Sequence, residues 1–217
     1  MAFHLPDDVE QLTPANLWTL TNALIDDVQK MLRRCKDADI TFVPVDPLAN
    51  DAAAADNADA SIAWTLGHII VHMTASSEES AFLAAELARG VEYHGRSRSE
   101  VLWTTMTTVV QCRERLEESR RMRLASLNLW PDDPQIATHF QVSEQSQPMG
   151  PVARFAAGLR HDSSHLAQVR DVIQQARENR LRQSAIGRMR LRLQRRPVSA
   201  ATSAPDEASI TTDAMVH

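Results

Sequence analysis

The stretch GPVARFAAGLRHDSSHLAQVRDVIQQARENR (residues 150–180) decides how this chain folds. Pro151, directly after Gly150, suits the first turn of a helix, where a missing amide donor costs nothing. Phe155, Leu159, Leu166, Val169 and Ile173 then recur at the three- and four-residue spacing of a single helical face. The spacing predicts a helix from Pro151 to about Asn179. Beside that stripe, about 100° round the helix, runs the row Arg154, Gly158, His161, His165 and Gln168, which sets two imidazoles four residues apart at the edge of the core. Ala156, Ala157 and Gly158 are small, so the space one turn below the imidazoles is expected to stay open, as a bound ligand would need.

A second pair with the same spacing, His68 and His72, stands upstream in WTLGHIIVHMTASSEE (residues 64–79). It lies in a predicted helix from about Ser61 to Arg89, which Gly90 stops. Here Ile62, Leu66, Ile69, Ile70 and Met73 form the apolar stripe, and His72 shares a row with Thr65, His68, Ala75, Ser76 and Glu79. Two further helices complete the pattern. One begins at Thr13 as N-cap with Pro14 in the first turn and carries Leu17, Leu20, Leu24, Val28, Met31 and Leu32 to about Cys35. The other begins near Ser99, carries Val101, Leu102, Met106, Val109, Leu116 and Leu124, and ends at NLWPDDPQ (residues 128–135). The Pro-, Asp- and Ala-rich connection from Asp37 to Ala60 reads as a loop, with Thr41 to Val45 extended and NDAAAADNADA (residues 50–60) mobile.

Helices with one apolar stripe each cannot stay apart in water, so the expected architecture is all-α, a four-helix bundle. Composition agrees: among 217 residues there are only 6 glycines, aromatics make up 5%, and Ala, Leu and Arg abound, which disfavours sheet. The formal charge of −5 gives no global basic field to recruit nucleic acid. No apolar run reaches the roughly 20 residues that span a bilayer, and the opening MAFHLPDDVE is not that of a signal peptide. The reading is a cytoplasmic protein. Cys35 and Cys112 lie in helical patterns and form no CxxC or disulfide frame, so they read as reduced thiols.

Bundles of this kind build metal sites from side chains on facing helices, and imidazoles at i and i+4 can reach one ion that a third His from another helix completes. Chance places a single HxxxH on many helices, so either pair alone could be two histidines sharing a face. The recurrence of the pair on two helices that can meet strengthens the case for metal binding and leaves both readings open. His4, His94, His139 and His217 fall in loops or at termini and read as solvated, and Trp64 and Trp103 read as core anchors.

WTLGHIIVHMTASSEE followed by HDSSHLAQVR resembles the DinB-like (YfiT-like) superfamily of metalloproteins, which includes the bacillithiol- and mycothiol-dependent transferases. The resemblance covers most of Pro14 to Asn179. It implies a DinB-like bundle over residues 1–180 and a metal triad of His72, His161 and His165. His68 stands where the family usually has another polar residue. The implied function is a divalent-metal-binding stress-response protein, an enzyme in which a low-molecular-weight thiol, or water, is activated for attack on a small electrophile, that is, a transferase or hydrolase. The alternative is a non-catalytic metal-binding stress protein or an interaction module. Zinc or nickel leads as the metal, and iron or manganese would also accept three nitrogens. Arg154 is the candidate clamp for an anionic thiol cofactor. Glu79 is the candidate general base or carboxylate support, and Asp162 and Gln168 are candidates to fix the imidazoles. The expected partners are the thiol, the electrophile and a second copy of the chain as a homodimer, with no membrane and no nucleic acid.

The segment 181–217 lies outside the resemblance. Between Arg180 and Arg196, both included, lie seven arginines and no acidic residue, and after Pro197 the chain turns Ser-, Thr- and Ala-rich. The segment is expected to be a largely disordered, flexible tail, with Pro197 onward lacking the apolar content for a core.

Overall fold

Three of the long helices start at a threonine cap that the local sequence supplies. The computed structural model describes residues 3–47, 49, 61–95, 98–139, 141 and 148–194. The first helix, α1, spans Pro14–Leu32; the Thr13 hydroxyl accepts from the Asn16 amide at 3.2 Å while the Asn16 side chain accepts from Thr13 N, a reciprocal cap. A short turn of helix, α2, covers Asp37–Ile40. The third, α3, spans Leu66–Ala88 and starts five residues later than the Ser61 expected from periodicity, because Thr65 adopts extended backbone and its hydroxyl accepts from His68 N at 3.2 Å. The fourth, α4, spans Val109–Leu127 and likewise starts late: Thr108 and Gln111 form a reciprocal cap, and only a single 3-10 turn, Trp103–Thr105, precedes it. Val101 and Leu102 therefore lie outside the helix and are exposed, at 45% and 64%. The last, α5, spans Pro151–Gln194 with Pro151 at its first position.

The fold is all-α: among the described residues there are five helices and no strand. The four long helices contribute to one buried core, in which Leu17, Leu24 and Val28 of α1 meet Leu66, Ile69 and Ile70 of α3, Cys112 and Leu116 of α4, and Phe155, Leu159, Leu166 and Val169 of α5. The single apolar stripe expected of each helix does not describe α3, whose buried residues run almost continuously from Leu66 to Ala88. It is the central helix, and a helix covered on all sides has no solvent face to keep polar. Thr41 to Val45, expected to be extended, has no regular structure; instead the Gln175 side-chain amide of α5 pairs with both backbone groups of Val45, at 2.9 and 3.2 Å. The expected mobility of residues 50–60 lies outside the described residues.

At Gly158 α3 and α5 approach closely. The Ser77 hydroxyl donates to Gly158 O at 2.8 Å, and a Cβ added at Gly158 would sit 2.8 Å from Ser80 Cβ and 3.1 Å from Ser77 Cα. The opening expected beside Ala156–Gly158 is thus filled by α3. The small residues serve the packing of two helices and do not hold space for a ligand. Since His72 faces His161 and Ser77 faces Gly158, the two helices run in opposite directions.

The chain divides into two compact units, Met1–Arg180 and Leu181–His217. In the second, α5 does not stop near Asn179 but remains helical to Gln194, and Leu181 to Met189 are exposed. Nothing in RLRQSAIGRMRLRLQ breaks a helix except the tolerated Gly187. The disorder expected from Pro197 onward lies outside the described residues. No helix among the described residues is long and apolar enough to cross a membrane.

Candidate metal centre

His72 of α3 and His161 and His165 of α5 converge. One ring nitrogen from each lies within 4.8 Å of the others, and His72 Nε2 stands 3.0 Å from His161 Nε2. This separation is on the scale an ion requires, since metal–nitrogen bonds of roughly 2.0–2.1 Å set neighbouring ligand nitrogens about 3.3 Å apart. The three rings could hold a metal ion.

Ring orientation depends on what fixes the nitrogen away from the ion. His165 Nδ1 faces Gln168 Oε1 at 2.9 Å, so it donates there and leaves Nε2 with its lone pair. His161 Nδ1 faces Asp162 Oδ1 at 3.4 Å. Asp162 is itself held by a buried ion pair with Arg123 of α4, Oδ2 to Nη1 at 2.9 Å, and both side chains are about 1% exposed. The Arg123 Nε–H donates to Ser119 Oγ at 3.0 Å. Both residues that sequence put forward to fix the imidazoles stand against the rings.

His72 is surrounded differently. Its Nδ1 lies 3.0 Å from Arg98 Nη2 and 3.9 Å from Glu100 Oε1, and the Arg98 and Glu100 side chains pair at 2.6 Å. Burial, followed by the nearby His161, Arg98, His165 and His68, pushes the His72 imidazole down to about 2 from its ordinary 6.5. The ring is neutral at physiological pH, as a ligand must be. A stability effect follows. Below about pH 6.5 the unfolded chain takes up a proton at His72 that the folded chain refuses, so more protons bind the unfolded state and stability falls as the pH falls. Melting of the metal-stripped protein from about pH 7.5 to about pH 5 should show a decline that is shallower in His72→Gln. An unchanged slope in that variant would mean that His72 titrates normally in the fold.

His68 is not a member of the cluster. It is sandwiched between two indoles, 4.6 Å from Trp64 and 4.8 Å from Trp103, with interplanar angles of 27° and 4°. Trp64, buried as a core anchor should be, also contacts His72 at 4.5 Å and His165 at 5.8 Å, so it forms a wall of the site. An apolar recess of about 490 Å³, lined in part by Trp103, Met106, Ile62 and Val43, begins at the far end of this ring stack. Within the cluster the His161 side chain is 31% exposed.

Glu79 and Arg154 lie two turns from His72 and His161, about 10 Å along their helices, and the Ser77–Gly158 contact falls between them and the imidazoles. Glu79 is buried and Arg154 half-buried, and neither belongs to the convergent group. A guanidinium and a carboxylate that do stand against His72 are those of Arg98 and Glu100, which come from the irregular connection between α3 and α4. Periodicity carries no signal for such a segment. Arg123, a charged residue, breaks the apolar pattern, and its only signal is the run of small positions Cys112, Ser119 and Ser126 along the buried face of α4.

His4, His94 and His139 are exposed, with His94 beside Glu86 at 2.9 Å, and His217 lies outside the described residues. Cys35 and Cys112 are free and buried. Burial is the largest cause pushing their thiols up to about 11 and about 12, so neither offers a thiolate at neutral pH.

The fold and the cluster define an all-helical protein with a three-histidine group able to hold a metal ion. Searches against family models, curated proteins and solved structures find no match.

Proposed function

We propose that this chain is a divalent-metal-dependent protein of the DinB-like kind, which activates a low-molecular-weight thiol, or water, for attack on a small electrophile. The observation that carries this reading is that three imidazoles converge, those of His161 and His165 only half-buried, while the fourth nearby histidine, His68, stacks between two indoles outside the group. Three neutral ligands with an open side suit catalysis better than a closed four-ligand site suits it.

When bound, a divalent cation would supply Lewis acidity, lowering the pKa of a thiol or water at its open position. The chain's own residues do the rest. Gln168 and Asp162 hold His165 and His161 by their Nδ1 atoms, Trp64 walls off one side, and Arg98 adds positive charge that favours an anionic thiol or substrate nearby. Zinc and nickel suit three imidazoles, as do iron and manganese. Cytoplasmic location, a role under stress and pairing into a homodimer belong to the same proposal.

The test is elemental analysis of protein purified without chelator or His-tag, followed by cobalt substitution and titration with low-molecular-weight thiols. About one metal per chain is expected, and a new thiolate-to-cobalt absorption band should grow on adding thiol. Metal without that band, and with no turnover of electrophiles or hydrolysable substrates, would favour a non-catalytic metal-binding protein.

A further inference from the structure

The contact between Arg98 and His72 raises a chemical conflict. A guanidinium carries only donors, so at 3.0 Å from Arg98 Nη2 the Nδ1 of His72 must be the acceptor and its proton must sit on Nε2. That Nε2–H points at His161 Nε2, 3.0 Å away, which accepts it and leaves the His161 proton on Nδ1, toward Asp162. The set of tautomers is self-consistent. In this set of tautomers His72 Nε2 carries a proton and so offers no lone pair to an ion.

For His72 to offer Nε2 to a cation, its proton must move from Nε2 to Nδ1, with none gained or lost by the ring. The new Nδ1–H would then face the Arg98 N–H, donor against donor. Glu100 Oε1 is the acceptor at hand, 3.9 Å from His72 Nδ1 and 2.6 Å from Arg98 Nη2. A small movement exchanges one neighbour for the other. Two features make that movement easy. Residues 98–100 lie in irregular backbone, and Arg98 Nε is buried with no hydrogen-bond partner among the described residues, so the guanidinium is incompletely satisfied where it is.

We propose that Arg98 and Glu100 form a latch that sets the tautomer of His72 and thereby the affinity of the three-histidine site for a divalent cation. With Arg98 on Nδ1 the site is closed to the ion; with Glu100 on Nδ1 it is open. Both are positioning residues acting through His72. The inference rests on the reading of the triad as a metal site, and its test is built to separate the two.

Zinc affinity of the full chain is measured by competition with a chromophoric chelator at fixed pH, in wild type, Arg98→Met, Glu100→Gln, Glu100→Asp and His161→Ala. Arg98→Met should bind zinc about tenfold more tightly, and Glu100→Gln about tenfold more weakly, the scale on which an outer hydrogen-bond partner acts. Glu100→Asp should recover most of the loss. Opposite shifts from two members of one ion pair are the signature, because a merely structural pair would move both variants the same way. Nitrogen NMR of the His72 ring gives a second measurement: the proton should be on Nε2 in the metal-stripped chain and on Nδ1 in the zinc form. Shifts in the same direction, or none, with zinc still lost in His161→Ala, would overturn the latch and leave the metal site standing. Zinc retained in His161→Ala would overturn the metal site itself. Should Arg98→Met fail to fold, a His72 proton found on Nδ1 in metal-stripped wild type would overturn the latch.

Discussion

Replacing His72, His161 or His165 by alanine is expected to lower metal affinity by more than about 100-fold, beyond the 10- to 100-fold typical of a lost outer partner. His68→Ala should leave affinity largely unchanged. The difference follows from placement, since the first three rings present nitrogens to a common point, whereas His68 presents its faces to Trp64 and Trp103. The two kinds of variant should also separate in stability. Two aromatic contacts worth about 0.5–1.5 kcal/mol each are lost in His68→Ala, so it should melt lower with metal still bound. The triad variants should lose the extra stability that metal confers on the folded chain. Elemental analysis paired with thermal melting reads both effects. Equal loss of metal in all four variants would make His68 a ligand and remove the open position on which the proposed chemistry depends.

What the sequence made legible depended on regular repetition. His161 and His165 could be placed beside each other because a helix fixes the i, i+4 relation, and Pro14 and Pro151 marked helix starts because proline tolerates few positions inside one. The starts of α3 and α4 were misread because Ser61 to Trp64 and Ser99 to Thr107 continue an apolar rhythm that the backbone does not follow. Thr65 and Thr108 compete for that role through their hydroxyls, and a cap overrides periodicity at a helix end. Gly158 was misread for a different reason. A small residue on a helix face is compatible with an opening or with a neighbouring helix in close contact, and only the position of Ser77 and Ser80 decides which. Arg98 and Glu100 had no periodic signal at all, because they reach the site from irregular backbone where the chain path, and not the spacing of residues, sets what is near.

The largest stability effect should come from the buried pair beneath His161. Arg123 and Asp162 are each about 1% exposed and stand 2.9 Å apart. Removing one partner leaves an uncompensated buried charge, which costs about 3–5 kcal/mol, a large share of the roughly 5–15 kcal/mol that holds a domain folded. Arg123→Ala and Asp162→Ala should each melt far below wild type, and urea denaturation should show the loss in midpoint. Replacing both at once, Arg123→Met with Asp162→Leu, removes the stranded charge and should restore much of the stability, since apolar residues of similar size often replace a buried pair at little cost. Metal affinity should not recover with it. The double variant still lacks the carboxylate that His161 Nδ1 faces at 3.4 Å, so the ring loses the acceptor that turns Nε2 toward the site. Zinc binding about tenfold weaker in a refolded, stable double variant would therefore assign Asp162 two separable roles, one in balancing Arg123 and one in aiming His161. Wild-type zinc affinity in that same variant would show that α5 alone orients the ring and that the pair serves only the core.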